Sequence, residues 1–124
     1  MRKPVAQSLR RALIKTSLRQ DPSRDKAFRD VIRSVPAGRV STYGKVALAA
    51  GYPLYHRAVA KLLSASMHDA LPWQRIVGAG GQIKLRGDAA LEQRSRLEQE
   101  GVQFCGARVD MDEHEHTLRP WQYL

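Results

Sequence analysis

The chain has 124 residues, 43% of them hydrophobic and 27% charged, which is the length of one globular domain and the composition of a chain that folds around a core. No stretch approaches the ~20 consecutive apolar residues of a membrane helix, and Cys105 is the only cysteine, so the sequence offers neither an internal disulfide nor a multi-cysteine metal site and reads as a protein of a reducing compartment. Twenty-one Lys and Arg against 12 Asp and Glu give a formal net charge of +9.

The distribution of that charge carries more than its size. Residues 1–24 hold seven Lys or Arg and one Asp, residues 39–86 seven and one, and residues 87–124 four against eight acids. Two basic blocks and an acidic end point to a polyanion partner, nucleic acid before a membrane surface, because condensed phosphates reward clustered Lys and Arg through counterion release. A solvated basic face without a partner is the alternative.

In residues 1–24, Val5, Leu9, Leu13 and Leu18 lie near helical spacing with Arg10, Arg11 and Lys15 between them, the pattern of an amphipathic basic helix or arm. An organelle transit peptide shares that Arg-rich, acid-poor composition, but there is no apolar run of a secretory signal. Asp21-Pro22-Ser23 breaks the pattern, and the spacing of Phe28, Val31 and Ile32 predicts a helix over Asp25–Ser34. The expected division is therefore a basic extension over 1–24 and one domain over 25–124.

Pro36-Ala37-Gly38 is a turn, after which Ser41-Thr42 offers a hydroxyl cap to a helix from Tyr43 to Ala50, stopped by Gly51. A second helix is expected to open at Pro53 and cover about Leu54 to Met67. Two short helices about a Gly-containing turn match a helix-turn-helix, with Val46 and Ala49 inward in the first. In the second, Ala58, Val59, Leu62 and Leu63 form the inward stripe and Arg57, Lys61 and Ser64 the exposed face.

Beyond His68-Asp69, the run Ile76-Val77, Gly78-Ala79-Gly80-Gly81, Gln82-Ile83-Lys84-Leu85 reads as strand, glycine turn and strand, a β-hairpin. Ala89 to Glu100 is a helix stopped by Gly101, and Val102 to Met111 reads as extended. Cys105 reads as a buried structural thiol. His114 and His116 alternate with Asp112, Glu113 and Glu115, a spacing that aligns two imidazoles only on a strand, so this run reads as a solvated acidic tail and not as a metal site. No cofactor is expected.

Four motifs occur in order over Val35–Gly81: Val35-Pro36-Ala37-Gly38, Thr42-Tyr43-Gly44, Arg57-Ala58-Val59, and Pro72-Trp73-Gln74-Arg75 before Ile76-Val77. In these the chain resembles the C-terminal domain of the O6-alkylguanine-DNA alkyltransferases, with a weaker likeness of layout from Asp25 to Glu100. The resemblance implies a mainly helical domain with a small β-hairpin, a winged-helix-like helix-turn-helix of the alkyltransferase C-terminal type. In that family the last motif reads Pro-Cys-His-Arg, where the Cys takes the alkyl group and the His deprotonates it with the help of an acid farther along the chain. Trp73 has no thiolate and Gln74 no useful basicity near neutral pH, so neither half of that pair can act. Trp in place of the Cys is the mark of the alkyltransferase-like proteins. The resemblance therefore implies a protein without enzymatic activity that binds and flips O6-alkylguanine in duplex DNA and marks it for nucleotide excision repair proteins, acting as a monomer away from membranes, in the cytoplasm at the nucleoid of a prokaryote or in the nucleus of a eukaryote.

Residue by residue, the resemblance makes Arg57 the finger that enters the stack in place of the flipped base, a task suited to a planar, always charged guanidinium. It makes Tyr43, Trp73, Arg86 and Val77 the lesion pocket, and places the second helix of the motif in the minor groove with Ala58 and Lys61 at the DNA. Thr42 and Lys45, at the start of the first helix, are expected on phosphates. The family has small residues after Arg-Ala-Val where this chain has Ala60 and Lys61. The rival reading is a helix-turn-helix regulator of undamaged sequence. It calls for base-edge readers such as Asn and Gln where this face carries Arg57, Lys61 and Ser64. A residual glycosylase is the enzymatic rival, and Asp69 is the only acid available to it between 39 and 86.

Overall fold

The computed structural model describes residues 5–17, 19–66 and 70–124; the first four residues, Leu18, Met67 and the His68-Asp69 pair lie outside the described residues. The basic extension forms a helix, α1 (Val5–Ser17). Asp21 and Pro22 do not merely break its pattern. They start the next helix, α2 (Pro22–Arg33), because the Asp21 carboxylate accepts from Arg24 N at 3.1 Å and Pro occupies a first turn whose N–H groups lack helical partners anyway. A boundary between residues 24 and 25 runs through that first turn. Ala27, Phe28, Val31 and Ile32 form the buried face of α2.

After the Pro36–Gly38 turn, β1 (Ser41–Thr42) leads directly into α3 (Tyr43–Ala49), capped by Thr42 Oγ1, which accepts from Lys45 N at 3.2 Å. The turn to α4 (His56–Ala65) is tight. Tyr52 and Tyr55 both keep their rings against neighbours, with centroids 5.8 Å apart for Phe28–Tyr52 and 5.5 Å for Tyr52–Tyr55. Holding both rings while the chain reverses puts Leu54 at φ 71°, a left-handed conformation that non-glycine residues adopt at a cost. Pro53 thus lies in the turn and α4 begins three residues after it. Inward Val46 and the Ala58, Val59, Leu62, Leu63 stripe are buried as expected, and Ala47, not Ala49, is the second fully buried residue of α3.

The hairpin expected over 76–85 does not form. Instead β2 (Ile76–Val77) pairs in parallel with β1, Ser41 opposite Ile76 and Thr42 opposite Val77. Both β2 side chains are fully buried, the mark of a strand covered on both faces, whereas a hairpin of this kind leaves one face to water. Gly78 to Gln82 closes on itself as a 3-10 turn, with Gly78 N donating to Gln82 O at 2.7 Å, and Gln82 bridges to Arg108. The hairpin of this protein is β3 (Phe104–Cys105) with β4 (Arg108–Val109), following α5 (Gly87–Gln99).

The acidic end is not a solvated tail. Short helix α6 (Met111–His114) is followed by a parallel bridge from Glu115 to Val40, with Val40 N donating to His114 O at 2.9 Å and His116 N to Val40 O at 2.8 Å. His114 is a structural clasp. Its Nε2 accepts from Gln103 N at 3.0 Å, which leaves the proton on Nδ1 to donate to Gly38 O at 3.0 Å. Trp121 Nε1 donates to Asp30 at 3.1 Å and ties the C-terminus to α2. Two hydrophobic clusters result: a larger one of α2, α3, α4, Leu71, Trp73 and Ile76, and a smaller one of Val40, Val77, Leu97, Val102 and Val109.

Candidate nucleic-acid interface

Alpha-helical spacing puts Arg57, Lys61 and Ser64 of α4 on one exposed ridge, and beside that ridge opens a cavity of about 390 Å³. This volume falls in the range of small-ligand sites, ~300–1,000 Å³. Tyr43 from the start of α3 forms one wall. His56, Arg57, Ala60, Leu63 and Ser64 of α4 form a second, Lys84 and Leu85 a third, and Trp73 with Gln93 a fourth. Three of these residues carry nitrogen bases or cations, and no carboxylate lines the space among the described residues.

Trp73 sits in a 3-10 turn (Trp73–Arg75) and is only 5% exposed. Its indole has the Arg96 guanidinium of α5 5.3 Å from the ring centroid, which holds the ring as a flat wall. The turn is clamped from behind by fully buried Gln93, whose Nε2 donates to Gln74 O at 3.1 Å and Ile76 O at 2.9 Å. Gln74 Nε2 in turn donates to Glu100 Oε2 at 3.1 Å, and Arg75 Nε to Glu100 Oε1 at 2.9 Å. Burial pushes the Glu100 carboxyl up, but the bonds from Arg75, Gln74 and the Gly38 backbone, with the Arg75 charge, outweigh it and hold the group below the usual carboxylate range. Burial also raises the Tyr43 phenol, which stays a neutral hydroxyl at neutral pH.

Of the residues expected at a lesion pocket, Tyr43 and Trp73 line the cavity, together with Arg57, expected as the finger. Val77 does not. It points into the smaller core and is fully buried, because β2 is a covered strand. Arg86 occupies the position before α5 without capping it through its side chain, is exposed, and stands outside the lining, which takes the preceding Leu85 and Lys84 instead. Among the expected backbone contacts, Lys61 is exposed on the ridge, while Ala58 is packed into the core one face around. The Thr42 hydroxyl is buried and committed to its own helix, and Lys45 is ion-paired to Glu115. Cys105 is exposed on β3, contrary to the buried thiol expected, because the hairpin turns that edge outward. No group of His, Cys, Asp or Glu able to hold a metal occurs among the described residues.

Gln93 and Glu100 hold the turn that carries Trp73, and the motifs do not reveal them, although their spacing does. With Leu97 they follow i, i+4, i+7 spacing along α5, so two polar side chains share the face that the fold buries.

The sequence matches the family described as "6-O-methylguanine DNA methyltransferase, DNA binding domain" over residues 23–102. It is 43% identical over 74 residues to a DNA base-flipping protein of Vibrio parahaemolyticus, covering 59% of this chain and 74% of the relative. It is 40% identical over 90 residues to alkyltransferase-like protein 1 of Schizosaccharomyces pombe, covering 70% and 82%. The fold superposes on the S. pombe Atl1 structure in complex with damaged DNA containing O6-carboxymethylguanine, with a TM-score of 0.69, 26% identity, and coverage of 80% of this chain and 99% of that one.

Proposed function

The chain belongs to the 6-O-methylguanine DNA methyltransferase DNA-binding-domain family, and we propose that within it this protein is a non-enzymatic reader of O6-alkylguanine in duplex DNA. The observation that carries this is the placement of Trp73 in the wall of an apolar cavity whose rim bears Arg57 on the first turn of an exposed helix. In the reading, α4 enters the minor groove, Arg57 stacks into the gap, and the alkylated base swings past Tyr43 into the cavity. Trp73 supplies an apolar surface for the base and its alkyl group.

Chemistry stops there. The position of the family's nucleophile holds an indole, and Gln74 beside it binds Glu100 through a proton it cannot give up near neutral pH. Cys105 offers no substitute, since it is not among the residues lining the cavity. Bound, unrepaired lesions would be passed to nucleotide excision repair proteins, with the protein acting as a monomer in the compartment that holds its host's DNA. Relatives named for base flipping and a similar fold solved with O6-carboxymethylguanine DNA support the reading.

The test is a titration of two duplexes of the same sequence, one with O6-methylguanine and one with guanine. Tighter binding to the first is expected. Equal affinity overturns the proposal.

A further inference from the structure

A second groove, of about 190 Å³, lies across α4 from the apolar cavity. Positions 56, 57, 60, 63 and 64 face the cavity and positions 58, 61, 62 and 65 face this groove. With 3.6 residues per turn, the two sets look out on opposite sides of the Arg57–Lys61–Ser64 ridge.

The groove is cationic. Arg19 from the link between α1 and α2, Arg24 and Arg29 from α2, and Lys61 from α4 line it, with Asp25 as the single carboxylate among the described residues. Arg24 is only 5% exposed, has its guanidinium 5.7 Å from the Phe28 ring centroid and 5.6 Å from that of Tyr55, and finds the Asp25 carboxylate at 3.5 Å. Its Nη2 donates to Arg19 O at 2.7 Å, which anchors the link, while its buried Nε has no partner among the described residues. A guanidinium withdrawn from water with so loose a counter-ion, among three further cations, makes this the place on the ridge's flank where an anion gains most. Arg19 precedes the family match, which begins at residue 23. The groove is thus built where the basic extension of this chain meets the shared core.

We propose that this groove seats the sugar-phosphate backbone of the strand complementary to the lesion, so that the segment ahead of α2 widens the footprint of α4 across the minor groove. The proposal rests on the lesion-reading function above. A helix lying in the minor groove has one backbone wall on each side, and the cavity side takes the flipped base from its own strand. The cationic side then meets the other strand.

The experiment uses the full chain and the double substitution Arg19→Gln with Arg29→Gln, two residues outside the apolar cavity. Affinity for lesion and control duplexes is measured over a series of salt concentrations. The slope of log affinity against log salt should become shallower by about 0.9 for each phosphate that the variant no longer neutralises, with the lesion-to-control ratio unchanged. A methylphosphonate scan of the complementary strand should weaken the wild-type protein at one or two positions and leave the variant indifferent to them. An unchanged slope overturns the proposal, as does a fall in the ratio without a change in slope, and so does a scan that responds only on the lesion strand. If the wild-type protein fails to prefer the lesion, the functional reading falls while the slope comparison still reports on the groove.

Discussion

The Gln74 carboxamide donates to the Glu100 carboxylate across 3.1 Å, so the residue beside Trp73 is joined to the end of α5 by the bond a histidine at that position would make. Glu100 therefore stands where the acid of the alkyltransferase relay is needed, 26 residues beyond Gln74. Trp73→Cys alone should show no transfer of a labelled methyl group from O6-methylguanine DNA, because an ordinary thiol with a pKa near ~8.5 is mostly protonated at neutral pH and Gln74 is no base. Adding Gln74→His should produce slow stoichiometric labelling of the protein, and Glu100→Gln in that background should remove it. Removing the indole costs on the order of 3–5 kcal/mol of stability, so each variant is first checked for a cooperative thermal transition. Rapid labelling of the single Trp73→Cys variant would contradict this account of Gln74.

The same clasp makes stability depend on acid. The Glu100 carboxyl is held below its usual range in the folded protein, so its stabilisation is fully present above the unfolded-state pKa, about 4.3, and is lost as pH falls through the lower folded value. Melting temperatures of the wild-type protein and Glu100→Gln should run parallel near neutral pH. Below roughly pH 4.5 the wild-type value should fall more steeply and the two curves converge. A constant gap between the two down to the acid end would remove Glu100 from this role.

Arg57→Ala should weaken binding to the O6-methylguanine duplex by up to about 3 kcal/mol, the scale of holding one base out of the stack. Its effect on the undamaged duplex should be smaller, since no base is flipped there. Equal losses on both would make Arg57 a phosphate contact.

Gly81 lies at φ +89°, and a Cβ there would come within 2.5 Å of Val109 O. Gly81→Ala combines left-handed strain with overpacking against β4 backbone that is itself paired, so it should destabilise by about 2–5 kcal/mol. Gly106→Ala has a positive φ but open space and should cost only the strain. Urea denaturation of the two variants decides; equal losses would show that the 78–82 loop is not pressed on β4.

Cys105 on the outer edge of β3 should react with a thiol reagent in the native protein nearly as fast as in the unfolded chain. Modification should leave lesion affinity unchanged, because Cys105 is outside the cavity lining. Slow native labelling would place the thiol inside after all.

Local chemistry determined much of this protein in advance. A helix carrying Phe28, Val31 and Ile32 on one face, though not its start at Pro22, the Thr42 cap, and the division of α4 into a buried stripe and an Arg57–Lys61–Ser64 ridge follow from side-chain spacing and hydroxyl placement, which act within one or two turns. The loss of the nucleophile is likewise legible, since no fold can give an indole a thiolate. Pairing across distance is not. Ile76-Val77 carries the same residues whether it turns back on Lys84-Leu85 or lies beside Ser41-Thr42, and only the burial of both its faces selects the second. The acidic end reads as solvated because its charges suit water one residue at a time, yet it supplies the backbone partners that Val40 requires. Val77 and Ala58 take parts other than those their sequence positions suggest for the same reason. Which side of a strand or helix meets a cavity, a core or a distant amide is decided by what packs against it, and that is set only when elements far apart in the chain come together.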